Sequence, residues 1–273
     1  MSKTLYLSDL DGTLLNKNAK LSPKTLEIIN SKTAEGMLFG YATARSVVSA
    51  LRVAAGLAVS VPVITHNGVF IIDTKTGKYL ESCIMDKEKI LPIIEYMKTE
   101  SVPVLVYALI DGRERVSWIC GMENAGIQNY LSDREGDIRL RPVDNWEQLF
   151  CGEVFYFTVI EEEAKAKKLF ESCCVSDYCR YTLMPDVYAP DEWWTEIYRS
   201  DATKATAAQK LKKILEADKI VSFGDQLNDI PLFEVSDYCY AVENAHEDLK
   251  KIATGVIGAN YADGVALWIS NNT

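Results

Sequence analysis

Histidine is scarce in this chain. His66 and His246 are its two histidines in 273 residues, too few for a His-rich metal site and a weak basis for a histidine-centred triad. Seven cysteines, at 83, 120, 151, 173, 174, 179 and 239, form an odd set without a C-x-x-C pair. That spacing argues against a disulfide framework and against a zinc site, and buried thiols are the expectation. Basic residues are outnumbered 29 to 39, for a formal charge of −10, which disfavours nucleic acid or an anionic membrane as a general partner. No apolar run approaches the length that crosses a bilayer, and MSKTLYLSDLDG lacks the apolar core of a secretory signal; a cytoplasmic protein is expected. Several catalytic signatures are missing too: the dinucleotide fingerprint, the P-loop, H-E-x-x-H and the G-x-S-x-G elbow.

What is present reads as an ordinary globular chain, 48% apolar and 25% charged. The first eighty or so residues alternate strand and helix patterns: TLYLSD, then SPKTLEIINSKTAEG with Ser22 as N-cap, Pro23 in the first turn and Gly36 as stop, then MLFGYAT, RSVVSALRVAAGL and VPVITH. Such βαβαβ alternation predicts a parallel sheet covered by helices on both faces. From about residue 69 the texture shifts to paired strands, with hairpins expected at Thr76-Gly77 and Asp111-Gly112. The alternating texture returns after about residue 190, with WWTEIYRS read as a core strand, ATKATAAQKLKKILEA as a helix packing Ala208, Leu211 and Leu215, and KIVSFGD as the next strand. The expected organisation is an α/β, doubly wound core formed by residues 1–82 and 191–273, interrupted by an α+β domain at 83–190.

Polar residues collect at the predicted strand ends. Asp9 and Asp11 end the first strand; residues two apart in an extended segment share a face, so both acids are expected to point into one small volume. A bound cation would reward that arrangement, and an Asp-Gly turn in solvent would also produce it. Thr43 and Arg45 end the second strand, Lys204 follows WWTEIYRS, and Asp225, Asn228 and Asp229 follow KIVSF. In an open parallel sheet such ends share one edge, where oxygen ligands suit a hard cation such as Mg²⁺. Taken singly, these residues have plainer readings. Asp225 and Asp229 could cap a helix beginning near Leu227, Asn67-Gly68 could be a turn beside a structural His66, and Trp193 and Trp194 could be packing residues.

Together, DLDGT, the threonine of ATAR, the lysine of DATKA and GDQLND resemble, in order, the four motifs of the haloacid dehalogenase superfamily. The long insertion resembles the second type of cap (C2B) of its Cof-like, sugar-phosphatase branch. The resemblance implies a Rossmann-like core with an inserted cap that selects the substrate. It implies Asp9 as nucleophile, forming an aspartyl phosphate. Asp11 becomes the acid that protonates the leaving alcohol and then the base that activates water, so it must begin protonated. Lys204 favours the ionised nucleophile. On the same resemblance, Mg²⁺ would be held by Asp9, the Asp11 carbonyl and Asp225, with Asp229 supporting. The resemblance also implies that Gly12, Thr43, Ala44, Arg45, Asn67 and Asn228 bind the substrate. Two positions depart from the family pattern: Ala44 and Ala205 stand where glycine is usual. Alanine keeps the backbone N–H and fits if φ is negative. The function implied is a Mg²⁺-dependent phosphatase for a small phosphorylated metabolite, the alternatives being a phosphomutase or a non-catalytic metabolite-binding protein on the same scaffold.

Overall fold

A computed structural model describes residues 3–173, 176–185 and 191–273; Cys174 and the expected domain edge at 190 lie outside them. The strands, in chain order, are β1 (Thr4–Ser8), β2 (Leu38–Tyr41), β3 (Val63–Thr65), β4 (Phe70–Asp73), β5 (Lys78–Ser82), β6 (Leu105–Ile110), β7 (Arg113–Ile119), β8 (Leu140–Val143), β9 (Glu153–Glu161), β10 (Cys179–Pro185), β11 (Trp193–Arg199), β12 (Lys219–Gly224), β13 (Tyr238–Val242) and β14 (Gly255–Ile257). The chain divides into two compact units, one holding the chain up to Ser82 together with Ala202–Thr273, the other Cys83–Asp201.

The first unit is built on a parallel sheet in the order β14-β13-β12-β1-β2. Alternate side chains of each strand leave on opposite faces, and both faces are apolar. Leu5, Leu7 and Ile220 pack with Ala207, Ala208 and Leu211 of the helix Lys204–Ile214. Phe39, Tyr41 and Phe223 pack with Ile29 of the helix Pro23–Ala34 and with Val265, Ala266 and Ile269 of the C-terminal helix Gly264–Asn272. This is the doubly wound arrangement expected. Ser22 caps its helix by accepting from Thr25 N at 2.9 Å, and Thr203 caps Lys204–Ile214 by accepting from Thr206 N at 3.0 Å. The second cap fixes the start of the helix that carries Lys204.

Two strands were expected in the parallel core and lie elsewhere. β3 (within VPVITH) joins β4 and β5 in an antiparallel three-stranded sheet. It touches the parallel sheet's line of pairing through one isolated parallel bridge, Ala42 to Ile64. β11 (WWTEIYRS) pairs antiparallel with β9 and β10 inside the second unit, so the core resumes at Ala202 rather than at residue 191. β3 is buried throughout and β11 is a mixed, partly buried run, and a local pattern cannot say which neighbour will supply their hydrogen bonds.

The second unit is a six-stranded sheet in the order β10-β11-β9-β6-β7-β8, antiparallel apart from the β7–β8 pair. Its β6–β7 hairpin turns at Asp111 and Gly112, with φ of 51° and 70°, the positive pair that a two-residue hairpin turn needs. Helices Lys87–Thr99 and Glu163–Cys173 belong to this unit. The first, with Pro92 inside it, is not foreseen in the strand-rich reading of the region.

Candidate active site

β1 delivers Asp9 to the carboxyl edge of the parallel sheet, where its N–H donates to Phe223 O at 2.9 Å. The chain then turns sharply, with Gly12 at φ 76°. A side chain at Gly12 is excluded twice: that backbone conformation disfavours one, and a Cβ would lie 2.1 Å from Asp225 Oδ2. Glycine is thus what lets the loop after β1 approach the loop after β12. Thr13 completes the junction by donating to Asp225 Oδ1 at 2.8 Å.

Lys204 is fully enclosed, and its ammonium donates at 2.6 Å to both Asp9 Oδ1 and Asp229 Oδ1. The other oxygen of Asp229 accepts from Asp225 N at 3.0 Å and Gln226 N at 3.1 Å, so Asp229 does cap the turn after β12, while it also orients the lysine. Asp225 takes Thr13 instead of capping. Gly224 makes room for this, since a Cβ there would lie 2.7 Å from the Asp229 carboxyl carbon. Asp9 is 5% exposed, and its Oδ2 has no hydrogen-bond partner among the described residues.

The threonine motif and the Asn67 turn are knitted to each other. Thr43 N donates to Ile64 O, Asn67 N to Thr43 O, and His66 N to Arg45 O, each at 3.0 Å. Thr43 itself is buried, and its hydroxyl accepts from Arg45 N at 3.2 Å. Asn67, at φ 54°, is brought up by Gly68, whose missing Cβ would sit 2.2 Å from Thr203 O. Asn228 then donates to Asn67 Oδ1 at 3.2 Å. Neither Ala44 nor Ala205 has a positive φ, so the two alanines sit without backbone strain.

Asp11 is placed differently from the expectation that it would share a volume with Asp9. Its carboxylate is half exposed and takes both arms of Arg45, Nε to Oδ2 at 2.6 Å and Nη2 to Oδ1 at 2.7 Å. Ser49 Oγ holds the guanidinium from behind, accepting from Nη1 at 2.8 Å. The reason lies in the backbone: β1 ends at Ser8, so Asp9 and Asp11 are not two residues of one strand, and the turn sends their side chains apart.

The buried charges do not balance. One oxygen from each of Asp9, Asp225 and Asp229 lies within 4.8 Å of the others, and among these groups Lys204 is the sole cation. Burial pushes the Asp9 carboxyl up to about 8, with Asp229 and Asp225 adding to the rise and Lys204 opposing it. Burial likewise lifts Asp225 to about 6. Lys204 is pulled down by burial, but Asp229 and Asp9 outweigh that and hold it above its ordinary value. An all-oxygen, charge-deficient cluster fits a hard divalent cation.

Two contributors were missed by sequence reasoning. Thr13 lies inside DLDGT and was passed over. Asn244 donates to Gly12 O at 2.8 Å and accepts from Asn260 N at 2.9 Å, bracing the turn after Asp9; its position just after β13, at the same sheet edge, was the available signal.

A family model described as haloacid dehalogenase-like hydrolase matches residues 6–269. The chain is 25% identical over 277 residues to a 5-amino-6-(5-phospho-D-ribitylamino)uracil phosphatase of Bacillus subtilis, covering 96% of this chain and 95% of that protein. It is 25% identical over 294 residues to a pyridoxal phosphate phosphatase of Escherichia coli, covering 98% of each. In fold it is similar to a solved sugar phosphatase of subclass IIB of the same superfamily, with a TM-score of 0.73, 19% identity, and coverage of 99% of this chain and 98% of that one.

Proposed function

The chain belongs to the haloacid dehalogenase-like hydrolases as a phosphoric monoester hydrolase, and on that premise we propose that it dephosphorylates a small phosphorylated metabolite through an aspartyl phosphate on Asp9, with Mg²⁺ as its metal. The observation that carries this reading is the asymmetry of Asp9, with Oδ1 fixed on buried Lys204 and Oδ2 unpartnered among the described residues. A nucleophile needs one oriented and one available oxygen. Asp9 Oδ2 attacks phosphorus, the bond from phosphorus to the ester oxygen breaks, and Asp11 gives its proton to the departing alkoxide. Water then attacks the aspartyl phosphate, Asp11 takes a proton from that water, and inorganic phosphate leaves with Asp9 regenerated.

Because Arg45 occupies both Asp11 oxygens, Asp11 can exchange protons with substrate once that pair opens. A substrate phosphoryl group competing for Arg45 would open it. Thr43, Ala44, Asn67 and Asn228 surround the same strand ends and are assigned to the phosphoryl group and its ester. Asp9, Asp225 and the Asp11 carbonyl would hold Mg²⁺, supported by Asp229, and the bound ion would supply positive charge to the buried carboxylates and the phosphoryl oxygens. The inserted unit, Cys83–Asp201, is assigned the role of cap and the choice among metabolites. Two relatives act on different ring-bearing phosphomonoesters, and both compounds belong in the test.

The test is a panel of sugar phosphates, pyridoxal phosphate and ribityl phosphates, scored by released inorganic phosphate. Release from at least one, abolished by a chelator and restored by Mg²⁺, is expected. Transfer of the group to a second hydroxyl without free phosphate would make the protein a mutase, and undiminished release in chelator would remove the metal.

A further inference from the structure

The second unit carries a cluster of arginines that the phosphatase reading does not use. Along β7, Arg113, Arg115 and Ser117 alternate with Glu114, Val116 and Trp118, and in β8 Arg141 pairs in register with Ser117. Residues two apart, and residues paired across neighbouring strands, share a face. Arg113, Arg115 and Arg141 therefore stand on one face, and all three line an open recess of about 510 Å³ with Ile110, Leu140 and the turn residue Asp111, a size in the range of small-ligand clefts.

Three neighbouring cations repel one another, and in a chain with net charge −10 acidic partners are plentiful. Yet among the described residues no carboxylate, Asp111 included, forms an ion pair with any of the three. Two guanidiniums are instead tethered by neutral groups. Arg141 Nη1 donates to Ser117 Oγ at 3.2 Å and to Gln148 O at 3.0 Å, and Arg115 Nη1 donates to Ile138 O. Neutral acceptors orient these side chains while leaving their charge uncompensated. The guanidinium of Arg113, exposed beside them, has no hydrogen-bond partner among the described residues. The opposite face of the same strand is managed otherwise: Glu114 is buried and takes Arg139 at 2.7 Å.

We infer that Arg113, Arg115 and Arg141 form a binding site for a small polyanion bearing at least two phosphoryl groups. Three donors spread over two strand positions and a neighbouring strand outnumber what one phosphoryl group uses, and planar guanidiniums match phosphate oxygens. None of the three belongs to the site assigned to catalysis.

The test is calorimetric titration of inorganic pyrophosphate into the full chain stripped of divalent ions, where the carboxylate-rich cluster around Asp9 repels anions. Binding of one equivalent is expected, weakened by salt. Arg113→Gln and Arg141→Gln should each weaken it about tenfold, the loss expected for one charge-assisted contact. Arg113→Gln removes no described contact and so keeps the test valid if Arg141→Gln fails to fold. Absence of saturable binding, equal affinity in Arg113→Gln, or orthophosphate binding as tightly as pyrophosphate would each overturn the proposal, as would capture of RNA or an acidic protein without pyrophosphate binding.

Discussion

Each unit buries a group of charges, and the two groups are composed differently. In the second unit, Arg139 donates to Glu114 at 2.7 Å and grips Asp137 through Nε and Nη2, while Arg134 also acts on Asp137. Arg139 thus bridges two carboxylates, and the weaker pull of Arg134 on Asp137 brings the group close to balance. In the first unit, three carboxylates, Asp9, Asp225 and Asp229, share one ammonium. A balanced buried cluster needs nothing further and serves the fold. An unbalanced one is costly as it stands, because burial penalises each uncompensated charge, and it persists where binding or chemistry makes use of the deficit.

The comparison is tested most severely at Asp9. Asp9→Asn should lower turnover by about 10⁴-fold or more, since the amide keeps the shape and loses the proposed nucleophile. It should also raise the melting temperature of the metal-free protein at neutral pH, because the buried wild-type carboxyl must hold a proton that the unfolded chain releases and the amide need not. Turnover near the wild-type rate would show that the deficit serves something other than catalysis.

Next in size is a matched pair. Lys204→Met and Arg139→Met each strip the cation from a buried cluster and should each cost about 3–5 kcal/mol of stability, the usual consequence of orphaning buried partners. They should differ in activity: the folded fraction of Lys204→Met should be inactive, whereas Arg139→Met should hydrolyse an aryl phosphate at close to the wild-type rate. Denaturant titration followed by rate measurement on the folded fraction distinguishes them, and equal loss of activity would erase the distinction.

The two clusters should also respond to pH with opposite slopes. Asp9 is raised from 3.8 to about 8, so in chelator the native state keeps a proton that the unfolded chain releases, and stability should fall as pH rises from about 4 to about 8. Lys204, raised above its ordinary value, stays protonated in both states across that window and adds no slope. Asp137 is lowered, mainly by its hydrogen bond from Arg139, so its stabilisation is present above the ordinary carboxylate value and is lost as pH falls through its depressed one. Melting curves of wild type, Asp9→Asn and Asp137→Asn from pH 3 to 9 should separate the two slopes, and Mg²⁺ should flatten the first alone. The smallest effect is expected at Ala44→Gly, which should leave rates within about twofold because Ala44 has no positive φ to relieve; a large gain would mean that the loop must pass through one during turnover.

What the sequence determined by itself was the class of the core and a set of polar residues bound for one edge of its sheet. Asp9, Gly12, Thr43, Lys204, Asp225 and Asp229 were legible because each follows a strand or opens a helix whose local pattern is strong, and strand ends of a parallel sheet share an edge. The hairpin turn at Asp111-Gly112 was legible for the same local reason. The tertiary structure alone decided the partners. It placed β3 and β11 in antiparallel sheets, where their side-chain patterns fit as well as in the core. It gave Asp11 to Arg45 instead of to the volume around Asp9, and it set Asp225 Oδ2 where a side chain at Gly12 would have been. It also separated Arg139, which found two carboxylates, from Arg113, Arg115 and Arg141, which found none among the described residues. Pattern along a chain reports which face a residue occupies; charge compensation depends on what other segments bring to that face, and those arrive from residues far away in sequence.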